Sequence, residues 1–240
     1  MASNIVIDST WVRDRFNLQY NNVFSNQAPG LVDYEISMYL TMAHIEIIDE
    51  YSQSLDLFEK NRSILTSYIL NERIPTTVYG PSNLPTIGFD RGIAYQTFEF
   101  TENCWKILKE YAYTVRVANG IPIKPITYDG FNTMSVNPYK KPNGLKGWRL
   151  DINADPLVDS KRDVKILFDN NNGTDYIKQY DVVYLVTPKS FDLESDVIPN
   201  SLDVNPFLCE KIINRAVELS VRDYKPSDLQ TQMVVNKRSE

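Results

Sequence analysis

Apolar side chains at Ile36, Tyr39, Leu40, Ala43, Ile47, Ile48 and Tyr51 fall on one face of an α-helix and predict a helix from Asp33. Asp33 suits the N-cap, since a carboxylate there accepts from amides left free in the first turn. Leu57, Phe58, Ile64, Leu65, Tyr68 and Ile69 share one side of a second predicted helix, from about Leu55 to Asn71, with Pro75 just beyond. The short Tyr51–Ser54 connection makes these two an antiparallel pair. A third helix is expected from Asn205 as cap, with Pro206 at the first helical position, to about Tyr224, and Pro226 stops it. Leu208, Cys209, Ile212, Ile213, Ala216 and Leu219 form its apolar stripe.

Between these helices the period changes. Positions 105–117 nearly alternate, with Trp105, Ile107, Tyr111, Tyr113, Val115 and Val117 on one side, and predict a strand. Residues 147–152, 163–168 and 176–186 predict three more. The Asn-rich stretch 169–173 ends in Gly173; as a calcium loop it would need Phe168 as first ligand, so a hairpin turn is expected instead. Pro122, Pro125, Pro138 and Pro142 mark 119–147 as a long excursion from the sheet. The expected fold is α+β: a helical bundle built from the N-terminal helix pair and the C-terminal helix, a central, mostly antiparallel β region and a Pro-rich extended arm. In residues, this gives an N-terminal arm at 1–32, the bundle at 33–72 and 203–225, the β-rich region at 73–202 with the arm at 119–147, and a tail at 226–240. The tail lacks periodicity and carries one apolar knot, Met233, Val234 and Val235; it reads as a frayed terminus in a lone monomer or as a segment that orders against a partner.

Composition excludes more than it adds. The 240 residues hold 25 basic and 31 acidic side chains, and the net charge of −6 opposes sequence-independent binding to nucleic acid. No apolar run approaches the length of a membrane span, and the first residues lack a basic stretch followed by an apolar one, so no secretory leader is expected. The one histidine, His44, rules out a multi-histidine metal site and reads as a partly buried structural residue. Cys104 and Cys209 stand apart and form neither a disulfide framework nor a zinc pair. Phosphate-loop, dinucleotide and nucleophile-elbow motifs are absent. No catalytic, cofactor or metal residue is therefore predicted. The carboxylates Asp49, Glu50, Asp151, Asp155 and Asp159 leave a carboxylate-dependent hydrolase or nuclease as the enzymatic alternative.

Three segments carry a family resemblance. They are the lead from Tyr20 through Asn26-Gln-Ala-Pro-Gly30 into the helix with Thr41-Met-Ala-His-Ile-Glu-Ile-Ile48; Asn137-Pro-Tyr-Lys-Lys-Pro142 followed by Gly147-Trp-Arg-Leu150; and Tyr180–Pro188 with Leu202–Leu219. Together they resemble neck ring, or head–tail connector, proteins of crAss-like podoviruses of gut Bacteroidetes. Phe207-Leu-Cys209 departs from the Leu-His that such proteins often carry there. The resemblance implies a virion adaptor without catalysis, present in host cytoplasm during assembly. It would join portal protein to further neck or tail ring proteins as a homo-oligomeric, twelve-fold ring. Genomic DNA would pass through its channel without specific binding, and no membrane is involved. A tail-tube or head-completion subunit is the alternative within the virion. Docking of C-terminal segments on the portal in related adaptors makes Met233, Val234 and Val235 the portal-docking candidates. The aromatic and basic residues of the Pro-framed excursion, Tyr139, Lys140, Lys141, Trp148 and Arg149, are the inter-subunit candidates.

Overall fold

The computed structural model of the chain describes residues 7–24, 30–53, 63–76, 78–79, 84–152, 163–170, 173–199 and 206–224. They divide into two units, one formed by residues up to Tyr68 with those from Pro188 onward, the other by Ile69–Thr187. The described helices are α1 (Ser9–Phe24), α2 (Asp33–Gln53), α3 (Tyr128–Met134) and α4 (Pro206–Tyr224), with α3 in the second unit.

In the first unit, α1 starts where the Asp8 carboxylate accepts the Trp11 amide at 2.7 Å, and it buries Val12, Phe16 and Tyr20. The sequence suggests only an arm here, because the buried stripe is one residue wide and the other apolar residues, such as Trp11 and Leu18, are scattered off it. Helix α2 begins where expected, but Glu35 secures its start by reaching back to the Val32 amide at 3.0 Å. Asp33 instead pairs with Arg13 of α1 at 3.0 Å. Both α1 and α2 pack on α4, whose Ala216, Val217, Leu219, Ser220 and Val221 are all buried, so this helix is enclosed on more than one side. Each fully buried Ile or Leu along it stabilises the unit by about 2 kcal/mol.

The second helix does not run to Asn71 as expected. Residues 54–62 lie outside the described residues, Leu65–Ser67 form a single 3-10 turn, and from Ile69 the chain is a strand. The bundle built on an N-terminal helix pair is thereby overturned; α2 packs on α4 instead. The reason is tertiary. Ile69–Pro75 finds a strand partner over its whole length, from Ile69 opposite Leu185 to Pro75 opposite Gln179, which satisfies its backbone while Leu70 and Ile74 turn toward the sheet core.

The second unit is built of β1 (Ile69–Pro75), β2 (Val78–Tyr79), β3 (Leu84–Pro85), β4 (Gly88–Asp90), β5 (Ile93–Glu99), β6 (Cys104–Thr114), β7 (Ile121–Pro125), β8 (Gly147–Asp151), β9 (Asp163–Phe168) and β10 (Ile177–Val186). Eight of these form one sheet in the order β1-β10-β6-β7-β8-β9-β5-β4, antiparallel except between β7 and β8. The sheet curls on itself. Strands β6, β7, β8 and β9 separate β10 from β5 in that order, yet the Phe98 and Tyr180 rings stand 5.2 Å apart. The Gln96 side-chain amide likewise reaches the Ile177 backbone, accepting its N–H at 2.5 Å and donating to its carbonyl at 3.3 Å. That pairing replaces ladder bonds where the β10–β6 register shifts between Ile177 and Gln179.

Nor is 119–147 an extended arm. Ile121 and Ile123 alternate into the core, so β7 is part of the sheet, and α3 lays Phe131 edge-on to Trp148 at 6.4 Å. Residues 135–146, between α3 and β8, are without helix or strand and carry the exposed Val136, Tyr139 and Leu145. The stretch around Gly173 does turn, with the Asn170 carbonyl collecting amides of Gly173, Thr174 and Asp175 and Gly173 at a φ of 91°. It is no hairpin, however, since β9 and β10 are not neighbours in the sheet.

Candidate assembly surfaces

Trp148 and Arg149, expected at a subunit boundary, are 2% and 7% exposed and belong to the interior of their own subunit. Strand β8 is buried from Gly147 to Leu150 because the sheet core covers one face and α3 the other. Arg149 spends its charge inside, donating to Glu110 of β6 at 2.5 Å and to Asp151 at 3.0 Å, while the Tyr180 hydroxyl donates to the other Glu110 oxygen at 2.7 Å. Burial pushes the Glu110 carboxyl above its usual range, against the pull of Arg149 and Tyr180. Burial works against the guanidinium too, but Glu110 and Asp151 outweigh it and hold Arg149 protonated. Strands β6 and β7 share just two residue pairs, Tyr111–Pro122 and Ala112–Ile121, and this ion pair bridges β6 to β8 beyond them.

Tyr139 and Lys140 are exposed and Lys141 is half-buried, on a loop with a defined backbone. Thr127 caps α3 by accepting the Gly130 amide at 3.1 Å, and the helix ends at Ser135. The Asn137 side chain then accepts the Tyr139 amide at 3.0 Å, and Asn143 accepts that of Leu145 at 2.9 Å. Reciprocal backbone bonds between Asn143 and Lys146 close the second turn. Between these turns Pro142 is buried, while Val136, Tyr139 and Leu145 are 78%, 91% and 81% exposed. Lys140, Lys141 and Lys146 give this loop its charge, and residues 135–146 contain no carboxylate side chain.

A second surface lies in the first unit and was missed from the sequence. Beside its buried face, α2 exposes Tyr34, Met38, Met42 and Ile45, spaced by four, four and three residues. Along this row runs a strap, residues 189–194, tied to α2 by a file of polar side chains. The Ser37 hydroxyl accepts the Leu193 amide at 3.0 Å, and Thr41 accepts that of Phe191 at 3.0 Å. His44 closes the file, its Nδ1 on the Lys189 carbonyl at 3.2 Å and its Nε2 on the Tyr68 hydroxyl at 2.8 Å. Since a carbonyl only accepts, Nδ1 carries the proton and Nε2 accepts from Tyr68. Desolvation holds His44 down at about 4, so it is neutral near pH 7. Helix and strap enclose an open groove of about 500 Å3, lined by Tyr34, Met38 and Met42 on one side and Asp192 and Glu194 on the other. No lysine or arginine is among the lining residues; nearby, Arg13 pairs with Asp33 and donates to the Leu193 carbonyl, Arg215 pairs with Glu46, and Lys189 is exposed at the start of the strap. Met38, Met42 and Ile45 among polar neighbours were the available signal, but the buried stripe of the same helix dominated the pattern.

Among the described residues no group of three or more His, Cys, Asp or Glu is placed to hold a metal ion. Asp151 is occupied by Arg149, while Asp155 and Asp159 lie outside the described residues. Cys104 and Cys209 are buried free thiols. The portal-docking candidates Met233, Val234 and Val235 also lie outside the described residues. No described helix is long and apolar enough to cross a membrane.

Comparison with known proteins gives these surfaces a context. A family model described as phage tail ring protein 3/4 matches residues 9–231. The chain is similar to "Ring protein 4/5" of Bacteroides phage crAss001, 29% identical over 95% of this chain and 97% of that one. It is also similar to "Ring protein 3" of the same phage, 23% identical over 87% of this chain and 92% of that one.

Proposed function

We propose that this chain, which belongs to the phage tail ring protein 3/4 family and is a structural ring protein of a crAss-like phage virion, closes head-to-tail into a ring of the phage neck. The ring joins portal to tail and continues the channel through which DNA leaves. The observation that carries this reading is the family match over residues 9–231, which spans both units. The loop 135–146 supports a lateral contact, with Tyr139, Lys140 and Lys141 toward a neighbour; Trp148 and Arg149 would support it from within the core. The acidic net charge suits a passage for DNA that must not be gripped.

Electron microscopy of this chain mixed with its portal protein tests the proposal. A ring stacked coaxially on the portal is expected, with twelve copies as the anticipated number. Discrete single subunits scattered over the tail surface would refute it. The tail is assigned the portal contact through Met233, Val234 and Val235. Truncation after Tyr224 should therefore reduce incorporation into portal-bound particles, and unchanged incorporation rejects that assignment.

A further inference from the structure

We infer that loop 135–146 of one copy seats in the groove between α2 and the 189–194 strap of the next copy, and that this is the lateral contact that repeats around the ring. The inference rests on the ring reading above and deepens it by naming the surface that receives the loop. A ring closed from one kind of subunit needs two unlike patches that fit each other, because a head-to-tail contact never sets a patch against itself. Loop and groove are such a pair.

Charge is the first argument. Copies carrying −6 repel one another, so a contact between them must set locally opposite charges face to face. The loop brings Lys140, Lys141 and Lys146 and no carboxylate; the lining of the groove brings Asp192 and Glu194, with the strap's Lys189 outside that lining. Apolar surface is the second. Val136, Tyr139 and Leu145 stand out from the loop, and Tyr34, Met38 and Met42 line the groove, each uncovered in the single subunit. Unbranched, polarizable methionines can mould around an inserted aromatic ring, and a Tyr is a frequent anchor of such contacts. Preorganisation is the third. Asn137 and Asn143 hold the loop turns, while Ser37 and Thr41 hold the strap, so docking orders little that is not already ordered.

Cysteine trapping tests this on the full chain. Neck assemblies are formed in cells supplied with two variants, one Leu145→Cys and the other Met38→Cys; native Cys104 and Cys209 are buried and stay silent. Mild oxidation should link the two variants to each other several-fold more than a control pair of Phe89→Cys with Met38→Cys, where Phe89 is also exposed. A yield no higher than the control overturns the inference, as does a Met38→Cys link to a different virion protein. Charge reversal separates this from the reading beneath it. If Lys140→Glu with Lys141→Glu abolishes rings but the cysteines do not link, the loop does lie at the subunit boundary and the groove is the wrong receiver. If that reversal leaves rings intact, the loop is not at the boundary at all. Glu194→Lys should restore part of the assembly lost in Lys140→Glu, a rescue that a merely damaged loop would not show.

Discussion

Acid should loosen the first unit through His44. In the folded chain the ring is enclosed by Tyr68 and Phe191, with centroids 5.6 and 5.7 Å away, and its affinity for a proton falls from 6.5 to about 4. An unfolded chain regains the ordinary value, so between those limits it binds a proton that the folded chain refuses. Stability is therefore intact above about pH 6.5, declines as pH falls, and levels off near 4 where the folded ring protonates too. The full effect is about 3 kcal/mol, taking ~1.4 kcal/mol per pH unit, and about 2 kcal/mol is already lost at pH 5. That is a large share of the roughly 5–15 kcal/mol by which domains are stable. Because His44 is the one histidine of the chain, its ring proton resonance can be followed by NMR without assignment of others. Urea unfolding of wild type and His44→Gln between pH 7.5 and 4.5 gives the energetic counterpart, since carboxylate titration is common to both and drops out of the difference. The wild type should lose about 2 kcal/mol more than the variant by pH 5. A ring titrating near 6.5, or parallel pH curves for the two proteins, would refute the reasoning.

Two further perturbations test the second unit. Arg149→Met strands the Glu110 carboxyl in the core beside Tyr180 and should cost about 3–5 kcal/mol in urea unfolding, much of it recovered by adding Glu110→Gln; a cost below about 1 kcal/mol would mean the pair is not buried as described. Gly147→Ala would set a Cβ 2.6 Å from Ile123 Cδ1 and 3.1 Å from the Leu167 carbonyl oxygen, so a loss of about 1–3 kcal/mol is expected, and an unchanged melting temperature would show that β8 has room to spare.

Much of the molecule was legible where local pattern and global burial agree. Helix α2 and helix α4 stand where their apolar periods place them, and β6, β8, β9 and β10 where alternation does. The end of the second expected helix differs because Leu65, Tyr68 and Ile69 satisfy a helical period equally well; only the free edge of β10 decides for a strand from Ile69 onward. Helix α1 failed in the opposite sense, as Val12, Phe16 and Tyr20 form too thin a stripe to stand out. Of the proposed contact residues, Tyr139 and Lys140 are exposed and Lys141 half-buried, whereas Arg149 is buried, which its sequence context hides because a basic residue ordinarily marks solvent.

Spacing along the chain determined which stretches are helical or extended, since that depends on which side chains one face presents, and the residue inventory pointed away from nucleic-acid binding and catalysis. Which element meets which was decided only in three dimensions. Curling of the sheet brings β5 onto β10 and encloses the charge of Arg149, and the strap laid along α2 turns its second apolar row into a groove. Such outcomes depend on contacts between residues far apart in the chain, where a side chain's worth is set by what covers it, and no local period encodes that cover.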